Sequence, residues 1–500
     1  MQSRGKIGGD VSMQFKGRTV LVLVALSIVL SSVVTMLVLG TPGLAGGSNN
    51  EVSHPQTGQM DGDTEGDLNF SKIQEAYDII RSNYVLDVNE AELLEGAVEG
   101  MLETLDDPYS VYMDPDAAEQ FRSSLESSFE GIGAEVMMQD GRVTIVAPIR
   151  GAPAEKAGLR PNDQIISVNG ESLEGLDLHR AVLKIRGPKD SEAELEVMRP
   201  GVSDPISITV TRDEIPLHTV YGETIRANGK TFGMIEITSF AQQTAQDFEE
   251  QLMAFEQDGI DGLVIDVRGN PGGYLEAVSE IGDLIVPNES VITKINSRNG
   301  EIASYHSTLE GKKPYPITIL VDNGSASASE ILAAALKEAG GYKVVGQQSF
   351  GKGTVQSTIP MGDDSEIKLT VAKWLTPDEN WINGVGVEPD IKVEQPDYFH
   401  AVPIDTDTVY ERDMNNSQVK NIQLMLRGLG YDPGREDGFY NEATERAVSR
   451  FQQDHSLTVS GKVDSKTAAL LQEELLEAMR DPQNDEQLQK AVEVLLQELN

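Results

Sequence analysis

Between Gly222 and about Val393, short apolar runs that read as strands alternate with amphipathic runs that read as helices. The strand-like runs are Phe232–Ile237, Gly262–Val267 and Ile317–Val321, and the helical ones include Gln243–Phe255 and Ser327–Ala339. A strand apolar on both faces needs cover on both, and the intervening helices supply it. The pattern predicts an α/β domain on a largely parallel sheet. At 500 residues the chain is too long for one core, so this domain is one of several.

Sites on open parallel sheets gather at the carboxyl ends of strands, and three segments there carry candidate chemistry. In Ile317–Gly340 a buried strand breaks at Asp322-Asn323-Gly324, and a helix begins among Ser325, Ser327 and Ser329. A serine there sits at the positive end of a helix dipole near free N–H groups, although capping alone would also explain it. In Ser349–Gln356 one lysine, Lys352, lies between two glycines ahead of an extended run in which Lys352, Thr354 and Gln356 share a side. In Asp266–Gly273 an Arg268-Gly269-Asn270-Pro271-Gly272-Gly273 turn closes a strand and leaves N–H groups unshielded, as an oxyanion hole needs.

Composition narrows the chemistry. The net charge of −41 and the absence of basic stretches beyond the first residues exclude nucleic acid as a partner. Without cysteine there is no disulfide, thiolate metal site or thiol nucleophile. Six histidines sit in no triad motif, and no G-x-S-x-G elbow is present. No cofactor and no metal are expected.

Arg4, Lys6, Lys16 and Arg18 precede an uncharged run, Thr19–Leu39, long enough to cross a bilayer core of about 30 Å. Its basic flank places the N-terminus inside and the bulk of the chain outside, in the cell envelope. A cleaved signal peptide with Gly43-Leu44-Ala45 at the cleavage site is the competing reading.

Leu105-Asp106-Asp107-Pro108-Tyr109-Ser110, the glycine turn at 268–273, the Ser-Ala-Ser-Ala-Ser-Glu run and Phe350-Gly351-Lys352-Gly353 occur in this order. Together they resemble the C-terminal processing (tail-specific) proteases of the S41 type over roughly residues 68 to 395. The resemblance implies a serine endopeptidase with Ser327 as nucleophile, Lys352 as general base and Gln356 supporting the lysine. The 25-residue interval from Ser327 to Lys352 agrees with the family's pattern, and by that resemblance selects Ser327 over Ser325 and Ser329. The implied oxyanion hole is Ala328 N–H with an N–H of Gly272 or Gly273. Lys352 would have to be neutral near pH 7, and moving a lysine there from about 10.4 takes roughly 4–5 kcal/mol of desolvation or charge effects.

Residues 129–215 resemble a PDZ domain. The Phe129-Glu130-Gly131-Ile132-Gly133-Ala134 loop would hold a substrate's terminal carboxylate on N–H groups of Gly131, Ile132 and Gly133, with helix 177–185 as the other groove wall. Arg186 is a candidate switch between this groove and the protease. Residues 417–475 resemble a type 1 peptidoglycan-binding domain through Ile422, Gln423, Leu426, Asp437-Gly438-Phe439, Phe451-Gln452 and Gly461-Lys462-Val463-Asp464, so peptidoglycan is an expected partner.

The expected fold class is multidomain α/β and α+β. An anchor (1–40) and flexible linker (41–66) lead to a helical region (67–120), a PDZ domain (121–215) and a crotonase-like protease core (216–395). A linker (396–416), the small helical domain (417–475) and an amphipathic tail helix (476–500) follow. The tail's stripe of Leu488, Val492, Leu495 and Leu499 suits its own chain or a second subunit, as in a homodimer. Two other functions fit parts of the pattern. A silent PDZ and wall-binding scaffold would lack peptide cleavage, and an acyl-CoA enzyme of the crotonase type would turn over CoA esters.

Overall fold

The computed structural model describes residues 70–499 apart from Ser127, Asp140, Arg150, Asp177, Gly201 and Ser203, and forms two compact units. The expected membrane span Thr19–Leu39 lies outside the described residues. Among these, no helix is long and apolar enough to cross a membrane.

The first unit joins the N-terminal helical region to Ser297–Asn299 and Thr354–Lys373. Helices Ser71–Asn83 and Glu90–Glu103 bury none of their residues, and Asn89 caps the second by accepting the Ala91 N–H. Asp107 then folds the chain into a turn. Its carboxylate accepts Tyr109 N–H at 3.1 Å and Ser110 Oγ–H at 2.6 Å, while Ser110 Oγ accepts the N–H of Thr370. That latch starts strand Val111–Met113 antiparallel to Glu366–Leu375, which also pairs with Thr354–Pro360.

The second unit holds everything else. The sheet of its PDZ domain contains Ala134–Gln139, Arg142–Pro148, Gln164–Val168, Glu192–Met198 and Ile206–Thr211, in that spatial order. Strand Glu192–Met198 alternates exposed and buried residues, as a sheet with one wet face should. Ile145, Ile165, Leu195 and Val197 meet Ala181 and Ile185 of helix Leu178–Ile185 in its core.

The sheet expected to carry the protease site has six strands, ordered Val220–Ala227, Lys230–Ile237, Gly262–Asp266, Ile317–Val321, Lys343–Gly346 and Ile391–Lys392. The first pair is antiparallel and the remaining pairs are parallel. Strands Gly262–Asp266 and Ile317–Val321 are buried throughout, as their unbroken apolar character requires. Helices Thr244–Asp258, Leu275–Ile285 and Ala328–Ala334 each connect neighbouring parallel strands in one direction, so right-handed crossovers put all three on one face. The other face is covered by the tail helix Glu486–Glu498. Its Leu488, Ala491, Val492, Val494 and Leu495 pack on Phe232, Val264, Leu320 and Val345. Of the two occupants the stripe suits, its own chain is the one it meets.

Helices Ser417–Gly428, Glu442–Asp454 and Ser465–Arg480 share a separate core, which includes Ile404 and Tyr410 of the connector before them. Two buried glutamines staple its loops. Gln423 accepts the Gly438 N–H and donates to Phe439 O, while Gln452 accepts the N–H groups of Ser460 and Gly461 and donates to Lys462 O.

Candidate active site

Strand Ile317–Val321 ends in a loop that reaches helix Ala328–Ala334 through Ser327, whose φ of 55° and ψ of −112° are far from an ordinary cap. A non-glycine residue at positive φ costs roughly 1–3 kcal/mol and persists only where its surroundings fix it. The surroundings here are specific. Ser325 Oγ donates to Val267 O at 2.8 Å, Ala326 N–H to Asn270 O at 3.0 Å, and Ser329 Oγ to the same Asn270 O at 2.8 Å. The serines on either side of Ser327 thus lash its loop to the 266–273 turn. Ser327 is fully buried and its Oγ has no hydrogen-bond partner among the described residues.

Ser327-Ala328-Ser329-Glu330 spells a capping box, whose acidic arm is the bond from Ser327 N–H to Glu330 Oε2 at 2.8 Å. The same oxygen accepts Lys352 N–H at 2.8 Å, and Oε1 accepts Gly351 N–H at 2.7 Å and Ser349 Oγ–H at 2.5 Å. One carboxylate therefore ties the backbone of Ser327 to that of Lys352. Burial pushes the Glu330 pKa up, while the four donors pull the other way by favouring the anion. The sequence reading passed over Glu330, although the S-x-x-E spacing pointed to it.

Lys352 is fully buried and precedes strand Thr354–Pro360 rather than lying on it. Its flanking glycines admit another segment: a Cβ on Gly351 would lie 2.9 Å from Val385 N, and one on Gly353 would lie 2.7 Å from Trp381 Nε1. Trp374 Nε1 donates to Lys352 O at 2.7 Å and Trp381 Nε1 to Gly353 O at 2.8 Å, fixing the loop from both sides. Gln356 belongs to the first unit. It is buried, its Nε2 donates to Thr354 Oγ1 and Thr370 Oγ1, and its Oε1 has no hydrogen-bond partner among the described residues.

The two candidate glycines differ. Gly272 packs against the Ser327 loop, since a Cβ there would lie 2.9 Å from Ser327 Cβ and 3.1 Å from Ala328 N. Its N–H, however, donates to Asn270 Oδ1 at 2.8 Å. Gly273 forms a parallel bridge with Phe240 in which Gly272 O and Tyr274 N–H make the bonds. Gly273's own N–H is therefore turned away from Phe240. Ala328 begins its helix, so its N–H has no intrahelical acceptor. Asn270 is the second residue the sequence reading missed. Fully buried, it also donates to Ile237 O at 2.7 Å, so one side chain shapes the turn and joins it to the next strand.

In the PDZ domain, Gly131 ends strand Ser128–Gly131, followed by buried Ile132 and by Gly133 at φ 71°. The carbonyls of Ile132 and Gly133 accept N–H groups of Ala154 and Ile149, which rigidifies the loop. Arg186 lies over the Phe129 ring at 4.8 Å, placing the candidate switch directly behind that loop.

A strained, buried serine packed against a glycine turn, beside a peptide-groove domain, defines the class: a PDZ-bearing serine protease. The comparisons agree. Residues 231–393 match the model of peptidase family S41, 122–198 match a PDZ domain, 41–117 the N-terminal domain of the activating protease CtpB, and 415–471 a putative peptidoglycan binding domain. Carboxy-terminal processing protease CtpB of Bacillus subtilis is 50% identical over 464 residues, covering 92% of this chain and 97% of that protein. CtpA of the same organism is 38% identical over 95% of this chain and 98% of its own length. A probable CtpA-like serine protease of Staphylococcus aureus is 33% identical over 85% of each. The chain belongs to peptidase family S41 and is a carboxy-terminal processing serine protease.

Proposed function

We propose that the protease works through a Ser327–Lys352 dyad and an acyl-enzyme, outside the cytoplasm, on proteins whose C-terminal ends its PDZ groove has read. The observation that carries this reading is the shared Glu330 carboxylate, which fixes Ser327 and Lys352 to one another through a single oxygen. Neutral Lys352 takes the proton of Ser327 Oγ as that oxygen attacks the scissile carbonyl carbon. The oxyanion is received by the N–H groups of Ala328 and Gly273; Gly272 is excluded because Asn270 occupies its N–H. As the C–N bond breaks, the Lys352 ammonium returns the proton to the leaving amine. Lys352 then deprotonates a water that attacks the ester carbonyl; the bond to Ser327 Oγ breaks, the Lys352 ammonium returns the proton to that oxygen, and the new carboxyl terminus leaves.

The family resemblance assigns Gln356 to the support of Lys352. Gly131, Ile132 and Gly133 serve the substrate's terminal carboxylate, Thr19–Leu39 anchors the chain in the cell membrane, and residues 417–475 hold peptidoglycan. A reporter protein with an unfolded, apolar C-terminus tests the chemistry by mass spectrometry. Wild type should cleave it, and Ser327→Ala and Lys352→Ala should each lose at least about 10³-fold in kcat. Full activity in Lys352→Ala would assign the base elsewhere.

A further inference from the structure

The turn that carries the Gly273 N–H is gripped from behind, by a residue that takes no part in the chemistry above. Arg268 donates from Nε to both Asp266 oxygens at 3.0 Å and from Nη2 to Asp266 Oδ2 at 2.6 Å. Its remaining donors cross to the tail helix: Nη1 reaches Asp485 Oδ1 and Gln487 Oε1, both at 3.0 Å, and Nη2 reaches Asp485 Oδ2 at 2.7 Å. Asp485 is also the cap of that helix, accepting Leu488 N–H at 2.9 Å, and it takes a bond from Gln395 at 2.7 Å. The guanidinium is thus clamped by two carboxylates, one on the catalytic strand and one on an element 217 residues away.

Two features make this more than a surface ion pair. The side chains are 17% exposed for Arg268 and 12% for Asp485, so solvent screens little of the interaction. Arg268 also stands among several acids: Asp266, Asp485 and, opposite Asp266 on the next strand, Glu236, whose pKa burial raises with help from Asp266. The peptide group after Arg268 is pinned as well, with Gly269 N–H on Asp322 Oδ1 at 2.8 Å. A shift of the tail helix therefore bears directly on the backbone that leads to Gly273.

We propose that Arg268 and Asp485 are a positioning pair. The C-terminal helix, through its cap carboxylate, holds the 268–273 turn where the Gly273 N–H meets the developing oxyanion. This rests on the Ser327 reading and on the assignment of Gly273 to the oxyanion hole. Asp485→Asn is the sharp variant, because asparagine caps a helix as well as aspartate but does not hold the guanidinium by charge. Val492→Ala is its companion, weakening the same helix on the sheet face while leaving the polar clamp intact.

The test is kcat and KM of the full chain on the apolar-tailed reporter, with melting temperature, for wild type and both variants; Ser327→Ala serves as a separate check. Asp485→Asn should lower kcat about 10- to 100-fold at unchanged KM, since misplacing one oxyanion donor costs a part of the roughly 10²–10³ that its removal does. Val492→Ala should melt lower yet keep wild-type kcat below its melting range. Wild-type kcat in Asp485→Asn would overturn the proposal, as would an equal loss of kcat in Val492→Ala. Cleavage surviving in Ser327→Ala would instead sink the underlying reading of the nucleophile.

Discussion

Glu330 shows how much one side chain contributes at this site. Each of its oxygens accepts two donors, and the Oε2 pair is the N–H of Ser327 and the N–H of Lys352. Glutamine at 330 keeps the size but turns an –NH2 toward two of those donors, leaving buried N–H groups unpaired. Glu330→Gln should therefore destabilise the protein by about 2–4 kcal/mol and, on the proposed mechanism, lower kcat at least about 100-fold through displacement of Ser327 and Lys352. Melting curves and reporter kinetics at one pH check this, and a lower melting point with unchanged kcat would reduce Glu330 to a structural group. Lys368 is a second buried ion, in the first unit, with its ammonium 5.1 Å from the Phe121 ring centre. Burial pushes its pKa from 10.5 down to about 8, with the Asp107 carboxylate opposing. Between those values the unfolded chain holds a proton that the folded one does not, so stability rises with pH across that window. The cost of burial is felt in full below about pH 8. Lys368→Met should stabilise the protein at pH 7 by about 3 kcal/mol and flatten the rise between pH 8 and 10.5, measured by denaturant titration at several pH values. A variant no more stable at pH 7 would mean that Asp107 offsets the burial.

At the scale of elements, the sequence was legible wherever one periodicity dominated. Ile317–Val321 and Gly262–Asp266 are buried on both faces and read as such, because nothing polar interrupts them. The tail stripe read correctly as one buried face; its partner did not, since Leu488, Val492 and Leu495 say that a surface is covered and not which one. What failed to show locally were contacts whose two halves are far apart in the chain. Asn270 fills the Gly272 N–H, yet in sequence it is only the third residue of a glycine turn. Arg268 lies in the same turn, and its meaning depends on Asp485 in the last helix. Glu330 was visible as a capping motif, but its service to Lys352 needs the loop after the next strand to return to it. The helix after Ser327 also departs from its pattern: it runs as an α-helix over Ala328–Ala334 and as a π turn over Ala335–Ala339, which its alanine- and leucine-rich sequence does not signal.

For the whole molecule, the path of the chain around the small helical domain makes a sharp distinction. The domain enters after Val393 and Gln395 and leaves at Asp485 and Gln487. These ends are stitched together, with Gln395 Nε2 on Asp485 Oδ1 at 2.7 Å and Gln487 Nε2 on Val393 O at 2.9 Å. The helical domain is therefore an excursion between the last strand of the catalytic sheet and the helix that covers it, with a core of its own. Replacing residues 397–482 by a short Gly/Ser linker should leave a soluble enzyme that still cleaves the reporter, because the linker joins points already in contact. Ending the chain at residue 480 should not. It removes Leu488, Val492 and Leu495 from Phe232, Val264, Leu320 and Val345, at about 1.5–3 kcal/mol for each large side chain. Those losses alone approach a domain's net stability of about 5–15 kcal/mol, and Arg268 loses its distal carboxylate as well. Solubility, melting temperature and reporter cleavage of the two variants separate the roles. Equal activity in both would make the tail helix dispensable, whereas loss in the excised variant alone would make the helical domain part of the catalytic machinery.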